Sequence, residues 1–432
     1  MFTRVAALLI VASLFVITPS QPRPGRKTQT PWPAGYWPHE KSQPIIEKTQ
    51  TIRLAPDLSG LSAGEKLAVR KLLAVGDIFQ KLYEDQRHAQ ALSGYEKLFQ
   101  LHMRVGNPAP TENLLTLYRL FQGPIATTLE NKREPFLPVD PVVPGKNVYP
   151  WGVKKEEIES SFARGTSNRD EILDLRAVVR RATVENLRND LAKLAKYPVL
   201  NTLHPGLRSH LTELLGTPSR SASRNQVRKA EFYAVPYSVA YADQLIKAHG
   251  LLNEAADLLH KDDEEFARFL RNRARDLLSD DYESGDAAWV TGRFKNLNAQ
   301  IGSYETYDDE LYGVKTFFGL SLLATRPQET TALRQAMKGL QALEDSLPYE
   351  HHKKVREDIP VGVYDVIADF GQTRGGNTAT ILPNESYLAR RYGRTILLRT
   401  NIMRDPNIFE STNRTLAAAV GEEQAKALTN DG

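Results

Sequence analysis

The chain has 432 residues, which is enough for two or three domain-sized units. With 41% hydrophobic and 25% charged residues, its composition is that of a soluble globular protein. A net charge of +4 is too small to indicate nucleic-acid binding, and the absence of cysteine excludes disulfides, thiolate metal sites and cysteine nucleophiles.

The N-terminus predicts export. Arg4 precedes an apolar run from Val5 to Ile17, and the small residues Thr18 and Ser20 follow. This pattern is typical of a secretory signal peptide, which we place at residues 1–20. The run is shorter than the roughly 20 residues that span a bilayer as a helix. We therefore expect a periplasmic or secreted protein with no integral membrane domain beyond the signal, and an N-terminal membrane anchor is the alternative.

Residues 21–55 are rich in proline and predict a linker or an extended arm. Residues 56–289 form a mainly helical region in this interpretation. Its first firm element begins at Ser62, where Glu65 completes a capping box ahead of apolar residues at helical spacing. Within it, residues 105–152 are interrupted by proline and glycine, which predicts irregular structure.

Residues 290–432 change in pattern and predict an α+β cleft region. The segments from Val361 to Phe370 and from Thr395 to Arg399 have the β-branched content and alternation of strands. The predicted fold class is therefore α+β and mainly helical, with a small sheet or barrel late in the chain.

No complete catalytic or metal site follows from spacing. Zinc peptidases place two histidines at i and i+4 on one helix face, with a glutamate between them. Of the nine histidines, His351 and His352 are adjacent and diverge on a helix, while His260 and Glu264 lie in a charged, solvated stretch. We assign no catalytic residue and no metal ligand in this chain.

Two segments carry polar groups suited to binding. Residues 301–310 contain four carboxylates and two tyrosines, although an acidic helix start would have the same composition. Residues 372–384 gather amides and glycines beside a strand, which could hold an extended peptide as an added strand. A hairpin turn is the alternative for this second segment.

These two segments resemble the dipeptidyl peptidase III family. The stretch from Asn298 to Asp308 is similar to that family's Ile-Gly, two residues, then Glu-Thr/Ser-Tyr, and the stretch from Gln372 to Asn377 is similar to its Gln-Thr-Glu-Gly followed by asparagine. Upstream, the stretches 147–157 and 249–256 resemble a bacterial branch, so the resemblance covers roughly residues 55 to 432.

The resemblance implies a two-lobed zinc metallopeptidase, that is, a hydrolase with a wide substrate cleft. The family's zinc motif, His-Glu, two or three residues, then Gly-His, is absent from the sequence. We therefore expect a chain that is truncated before the zinc site, incomplete at the C-terminus and inactive as it stands. Zinc is expected for a full-length family member and no cofactor for this chain. The cleft residues that the resemblance carries over are Tyr304, Glu305, Tyr307, Asn377 and Asn384.

The chain departs from the family at two positions. The family's Glu, which helps to hold a peptide's free amine, is Asn298 here, and its Tyr, which assists the transition state, is Gln300. A neutral amide cannot neutralise an ammonium group. The expected partner is a peptide or small-molecule substrate in a cleft, with no nucleic acid. The alternative function is a non-catalytic, exported peptide-binding or scaffold protein.

Overall fold

The computed structural model describes residues 32–216, 230–355, 360–375 and 377–429. The signal peptide that the sequence predicts at 1–20 lies outside these residues. The helices are α1 (His39–Glu47), α2 (Ala63–Arg87), α3 (Ala91–Arg104), α4 (Ala109–Phe121), α5 (Lys155–Arg164), α6 (Arg169–Ile172), α7 (Val184–Lys196), α8 (Pro198–Leu203), α9 (Leu207–Leu215), α10 (Tyr237–Ala240), α11 (Ala242–Leu259), α12 (Glu264–Ser279), α13 (Glu283–Thr291), α14 (Pro327–Ala336), α15 (Leu340–Asp345), α16 (Ser386–Tyr392), α17 (Thr400–Met403), α18 (Pro406–Val420) and α19 (Glu422–Thr429). The strands are β1 (Ile125–Thr127), β2 (Arg133–Pro135), β3 (Ala177–Arg181), β4 (Phe232–Pro236), β5 (Leu297–Glu305), β6 (Phe317–Thr325), β7 (Val361–Gly371), β8 (Ala379–Leu382) and β9 (Thr395–Arg399).

A five-stranded mixed sheet occupies the last third of the chain. Its order is β5-β6-β7-β9-β8, with β7 and β9 parallel and the other neighbours antiparallel. The strands predicted at Val361–Phe370 and Thr395–Arg399 are confirmed as β7 and β9. Among the described residues the sheet is open, with β5 and β8 at its two edges, so the small β part is a sheet and not a barrel. The α+β, mainly helical fold class is confirmed.

Helix α2 covers one face of this sheet. Ser62 and Glu65 form the predicted capping box at its start. Its buried side packs on β6, β7 and α11 within the larger of two hydrophobic clusters. Gly76 marks the closest approach, because a Cβ there would lie 2.3 Å from the Phe370 ring. A side chain at this position would push the helix away from β7.

The proline-rich stretch differs from its prediction as a linker. Residues 39–47 form α1, and Trp37 and Ile45 are buried in a second hydrophobic cluster with Leu98 and Phe136. The Trp37 and Phe136 rings meet edge to face with centroids 6.1 Å apart. Burial of large aromatic rings stabilises a segment that composition alone would leave extended. The described part of this stretch is therefore a packed element of the fold.

Two further details of the N-terminal half were predicted wrongly. Residues 105–152 contain α4 and the β1–β2 pair within the stretch predicted to be irregular. The mainly helical region also holds the antiparallel pair β3–β4, which was not predicted from the sequence. Among the described residues, no helix is long and apolar enough to cross a membrane.

Candidate functional site

A cavity of about 300 Å³ lies at one end of the five-stranded sheet. It is lined by Gln300, Gly302, Tyr304, Glu305, Tyr307, Phe317, Gly319, Gln372, Thr373, Asn377, Ala379, Thr380, Ile381 and Asn384. All five residues that the resemblance assigned to the cleft are in this lining. The structure thus brings together two segments about 70 residues apart in the sequence. Their role as substrate-binding residues stays a prediction.

Strand β5 supplies one wall through its alternation. Gln300, Gly302 and Tyr304 point to the cavity, while the residues between them face the opposite side of the sheet. Gly302 has a φ of +148°, and a Cβ there would lie 2.6 Å from the Tyr282 ring and 2.8 Å from the Tyr304 ring. Glycine is therefore required for the two tyrosines to pack over this point of the strand. An acidic helix start, the alternative weighed for residues 301–310, does not form.

Three of the four carboxylates in the acidic segment hold the loop in place, Asp309 from within its turn and the other two through side chains of other elements. Asp309 is buried and accepts hydrogen bonds from the backbone N–H groups of 311, 312, 314 and 315 and from the Tyr149 hydroxyl. Asp308 accepts from the Tyr83 hydroxyl at 2.9 Å and pairs with Arg87 at 3.2 Å. Glu310 pairs with Lys146 at 3.1 Å. These contacts shape the loop that leads into β6.

The fourth carboxylate, Glu305, remains at the cavity with Tyr307. The negative charge of Glu305 raises the pKa of the Tyr307 phenol, whose side chain is 80% exposed. A carboxylate beside an exposed aromatic ring offers a partner for a ligand cation and apolar area at the same place. Of the four carboxylates in this segment, Glu305 is therefore the one that lines the cavity, where it also accepts a hydrogen bond from Tyr307.

Tyr304 forms a wall of the cavity but directs its hydroxyl away from it. The hydroxyl donates to Asp286 Oδ1 at 2.6 Å, and Asp286 also accepts from the buried Arg273. Burial raises the pKa of the Tyr304 phenol well above its usual value, so the phenol stays protonated. Tyr304 therefore presents its ring to a ligand, and its proton is held by Asp286.

The second segment is fixed against the first. Gln372 donates from Nε2 to Asp308 Oδ2 at 3.0 Å, and Thr373 donates to the Leu320 carbonyl at 2.8 Å. Gln122, at the end of α4, donates to the Arg374 carbonyl at 3.0 Å. The hairpin alternative is wrong, because β7 and β8 both pair with β9 and not with each other. Asn377 and Asn384 lie on the exposed side of this loop region.

A buried arginine beneath the cavity was missed in the sequence. Arg399 ends β9, is fully buried, and donates to the Asn377 carbonyl at 3.1 Å and to Gln300 Oε1 at 3.4 Å. A signal was present, since Arg399 has the same parity as Leu397, which faces the core in this alternating strand. An arginine at a core position of a strand requires a polar partner within the fold.

Asn298 has no role in the cavity, because its side-chain amide is already hydrogen-bonded within the protein. Its Oδ1 accepts from the Trp289 indole at 2.8 Å, and its Nδ2 donates to the Tyr364 hydroxyl at 2.9 Å. Both ends of the amide are therefore used inside the protein. Of the two positions where the chain departs from the resembled family, only Gln300 reaches the cavity.

Two solved structures share this architecture. The structure of DPP III from Caldithrix abyssi superposes with a TM-score of 0.68 at 21% identity, covering 87% of this chain and 62% of that one. The structure of dipeptidyl-peptidase III from Corallococcus sp. strain EGB gives a TM-score of 0.63 at 24% identity, covering 85% and 59%. The chain has a dipeptidyl peptidase III-like fold. This confirms the resemblance at the level of the fold.

One relative that matches by sequence aligns with only part of this chain. Nudix hydrolase 3 of Arabidopsis thaliana is 31% identical over 204 residues, which is 46% of this chain and 26% of that protein. The chain thus spans about a quarter of the length of this relative and about three fifths of the two solved structures. No protein-family model matches the chain.

The described residues offer no fit for a zinc ion, because no three carboxylate or imidazole side chains among them converge as metal ligands. His102 meets the Thr111 hydroxyl at 2.8 Å and Glu112 at 3.5 Å. His88 meets the Asp140 carbonyl at 2.9 Å and accepts from the Gln90 N–H at 3.1 Å. Both nitrogens of each ring are therefore engaged by protein partners. No step of the chemistry is therefore derived through a metal.

A second cavity of the dipeptidyl peptidase III-like fold, about 760 Å³, lies between α9, β4 and the end of α12. Asp280 lines it in a left-handed conformation, φ +58°, and accepts a hydrogen bond from the Ser238 backbone N–H at 3.0 Å. Burial raises the pKa of Asp280 to about 7. His204 lies 3.8 Å away, and burial lowers its pKa, so it does not neutralise the carboxylate at neutral pH.

This arrangement makes stability depend on pH. A carboxyl whose pKa is raised in the folded state contributes stability that is fully present below its unfolded-state pKa of about 4. For Asp280 this contribution is lost as the pH rises through the folded-state pKa of about 7. Asp280→Asn should therefore stabilise the protein by about 2 kcal/mol at pH 8 and little at pH 4. Asparagine also tolerates the left-handed backbone. Thermal melts of both proteins at the two pH values test this, and a gain that does not grow with pH would contradict it.

Proposed function

We propose that this chain binds an extended peptide in the cavity at the end of its sheet. The observation that supports this most is the convergence of the 304–307 and 372–384 segments on one cavity. A hydrogen bond from Gln372 to Asp308, the residue that follows the first segment, holds the two walls at a fixed separation. A preformed concave site with a few placed polar groups is what a peptide or small-molecule ligand requires.

The sheet edge offers a physical mode of binding. Strand β8 pairs on one side only, with β9, and it contributes Ala379, Thr380 and Ile381 to the cavity. Ile381 is 55% exposed although it is large and apolar. An extended peptide added beside such an edge gains main-chain hydrogen bonds, and side chains of the cavity then select its residues. The exposed amides of Asn377 and Asn384 complement a peptide backbone.

We further propose that the chain belongs to the dipeptidyl peptidase III-like hydrolases and supplies their peptide-binding part. The fold and the ordered pair of segments support this. The sequence contains no pair of histidines at zinc-peptidase spacing. We therefore expect these 432 residues to bind peptide without hydrolysing it. The alternative is a non-catalytic binding or scaffold protein. Adding a separate zinc-bearing segment would restore peptide hydrolysis if the chain is part of a hydrolase, and would not do so if it is a binding or scaffold protein.

Asn377→Ala should weaken peptide binding about fivefold to tenfold, because one hydrogen bond to the peptide backbone is worth about 1 kcal/mol. Titration calorimetry with tetra-alanine measures this directly. Asn407→Ala, at an exposed position of α18, is the matched control and should leave the affinity unchanged.

Two outcomes would contradict the proposed function. An affinity that is the same in Asn377→Ala and the unaltered protein would place the peptide elsewhere. Chelator-sensitive hydrolysis of the peptide by the purified chain would refute binding without turnover.

A further inference from the structure

Arg399 is a buried cation with few partners. It is fully buried, and the acid that acts on it, Asp369, does so through its charge and without a hydrogen bond. Burial lowers the pKa of Arg399, while the charge of Asp369 opposes that effect. Its Nε has no hydrogen-bond partner in the described part of the chain. The guanidinium nevertheless stays charged, because arginine is not deprotonated in proteins.

The contact between Arg399 and Gln300 fixes the orientation of an amide. Arg399 Nη2 lies 3.4 Å from Gln300 Oε1. A guanidinium has only donors, so the amide must turn its oxygen toward Arg399. The Nε2 group of Gln300 is then directed away from Arg399, at a residue that lines the cavity. Position 300 therefore presents a hydrogen-bond donor, supported from behind by a positive charge.

The position of Asp369 explains why the positive charge of Arg399 is only weakly compensated. Asp369 lies on β7, in register with Ser321 of β6, which is itself in register with Gln300 of β5. Burial raises the pKa of Asp369, and its Oδ1 has no hydrogen-bond partner among the described residues. Asp369 acts on Arg399 through its charge and forms no hydrogen-bonded ion pair with the guanidinium. The floor of the cavity at Gln300 therefore favours negative charge.

The two ends of the cavity wall differ in sign. Glu305 and Gln300 are five residues apart on β5, which corresponds to about 17 Å of extended chain. Glu305 favours an ammonium group at one end, and Gln300 with Arg399 favours an oxygen anion at the other. An extended peptide of about four or five residues has its own terminal charges at this separation. The polarity of the site thus matches a short free peptide in one direction.

We propose that Gln300 is a specificity-determining residue that binds the terminal carboxylate of a short peptide, with Arg399 as its positioning residue. This inference rests on the proposed function, because it takes the cavity to be the peptide site. The amino terminus then lies toward Glu305. Asn298, which is occupied within the protein, plays no part in reading either end.

The test compares tetra-alanine with its C-terminal amide by titration calorimetry on the full chain. The free acid should bind about tenfold more tightly, as a charge-assisted hydrogen bond is worth about 1.5 kcal/mol. In Gln300→Glu the preference should reverse, because a carboxylate at this position repels the ligand's own. Gln300→Met keeps the length of the side chain and removes its hydrogen-bond donor, so the affinity for the free acid should exceed that for the amide only about twofold.

Arg399→Met tests the positioning role, since the ratio of the two affinities should fall even where the overall affinity is kept. Gln335→Glu, at an exposed position of α14, is the control for added charge and should keep the tenfold ratio. If Arg399→Met fails to fold, Gln300→Met still decides. Equal binding of acid and amide by the unaltered protein would overturn this inference alone. Binding of neither peptide would overturn the proposed function as well.

Discussion

Asp309→Ala should lower the free energy of unfolding by about 4 kcal/mol, because it leaves several buried N–H groups without an acceptor. One carboxylate satisfies the amides of residues 311, 312, 314 and 315 together with the Tyr149 hydroxyl. Alanine replaces none of these bonds. Urea denaturation of the two proteins gives the difference, and the cavity wall beside β6 should lose order with it.

The neighbouring carboxylate provides the control. Glu310 is half-exposed and pairs with the exposed Arg133 and with the buried Lys146, so Glu310→Ala should cost about 2 kcal/mol, roughly half of the loss in Asp309→Ala. Similar losses in the two variants would show that charge in the segment matters and that the specific cap at Asp309 does not.

Asp286→Ala should be destabilising to a similar extent, about 3 to 5 kcal/mol, because it leaves Arg273 buried with a weakened partner. Both side chains are fully buried, and the remaining acid, Asp276, lies 3.5 Å from the guanidinium. Burial raises the pKa of Asp276 to about 6, so Asp276 loses its negative charge, and with it its role as a counter-ion, as the pH falls through about 6. The Tyr304 hydroxyl also loses its acceptor.

A double variant separates charge burial from packing. Arg273→Met together with Asp286→Leu removes both charges and keeps most of the volume, so much of the lost stability should return. The exposed pair Arg271–Asp257 is the control, and Asp257→Ala should change stability by less than about 0.5 kcal/mol. If the double variant is less stable than Asp286→Ala, the loss comes from packing and not from an unpaired cation.

Local patterns in the sequence predicted those elements whose signals are local. The capping box at Ser62 and the β-branched alternation of β7 and β9 depend on residues near one another in the chain. The packing of Trp37 against Phe136 depends on residues 99 positions apart, and proline content in the same stretch pointed to a linker. Tertiary burial overrides composition in such segments.

The candidate site, like the fold, was predictable from the sequence only in part. Residue types and their order identified Tyr304, Glu305, Tyr307, Asn377 and Asn384, and the fold places all of them around one cavity. The sequence could not show that Asp309 stabilises a turn while Glu305 lines the cavity, since the two carboxylates differ only in the groups that surround them. It also could not pair Arg399 with Gln300, because these residues lie on β9 and β5, which are not neighbours in the sheet.

The packing of α2 on the sheet has a consequence for biogenesis. Gln80 accepts a hydrogen bond from the Gly371 N–H and Gln86 accepts one from the Phe318 N–H, so contacts of this helix close over sequence separations of 291 and 232 residues. During synthesis, α2 leaves the ribosome long before its partners exist. At about 5 to 20 residues per second, the delay between α2 and β7 is roughly 15 to 60 s. Over that interval α11 can cover only part of the apolar face of α2, so the side that faces β6 and β7 should stay exposed until those strands are made.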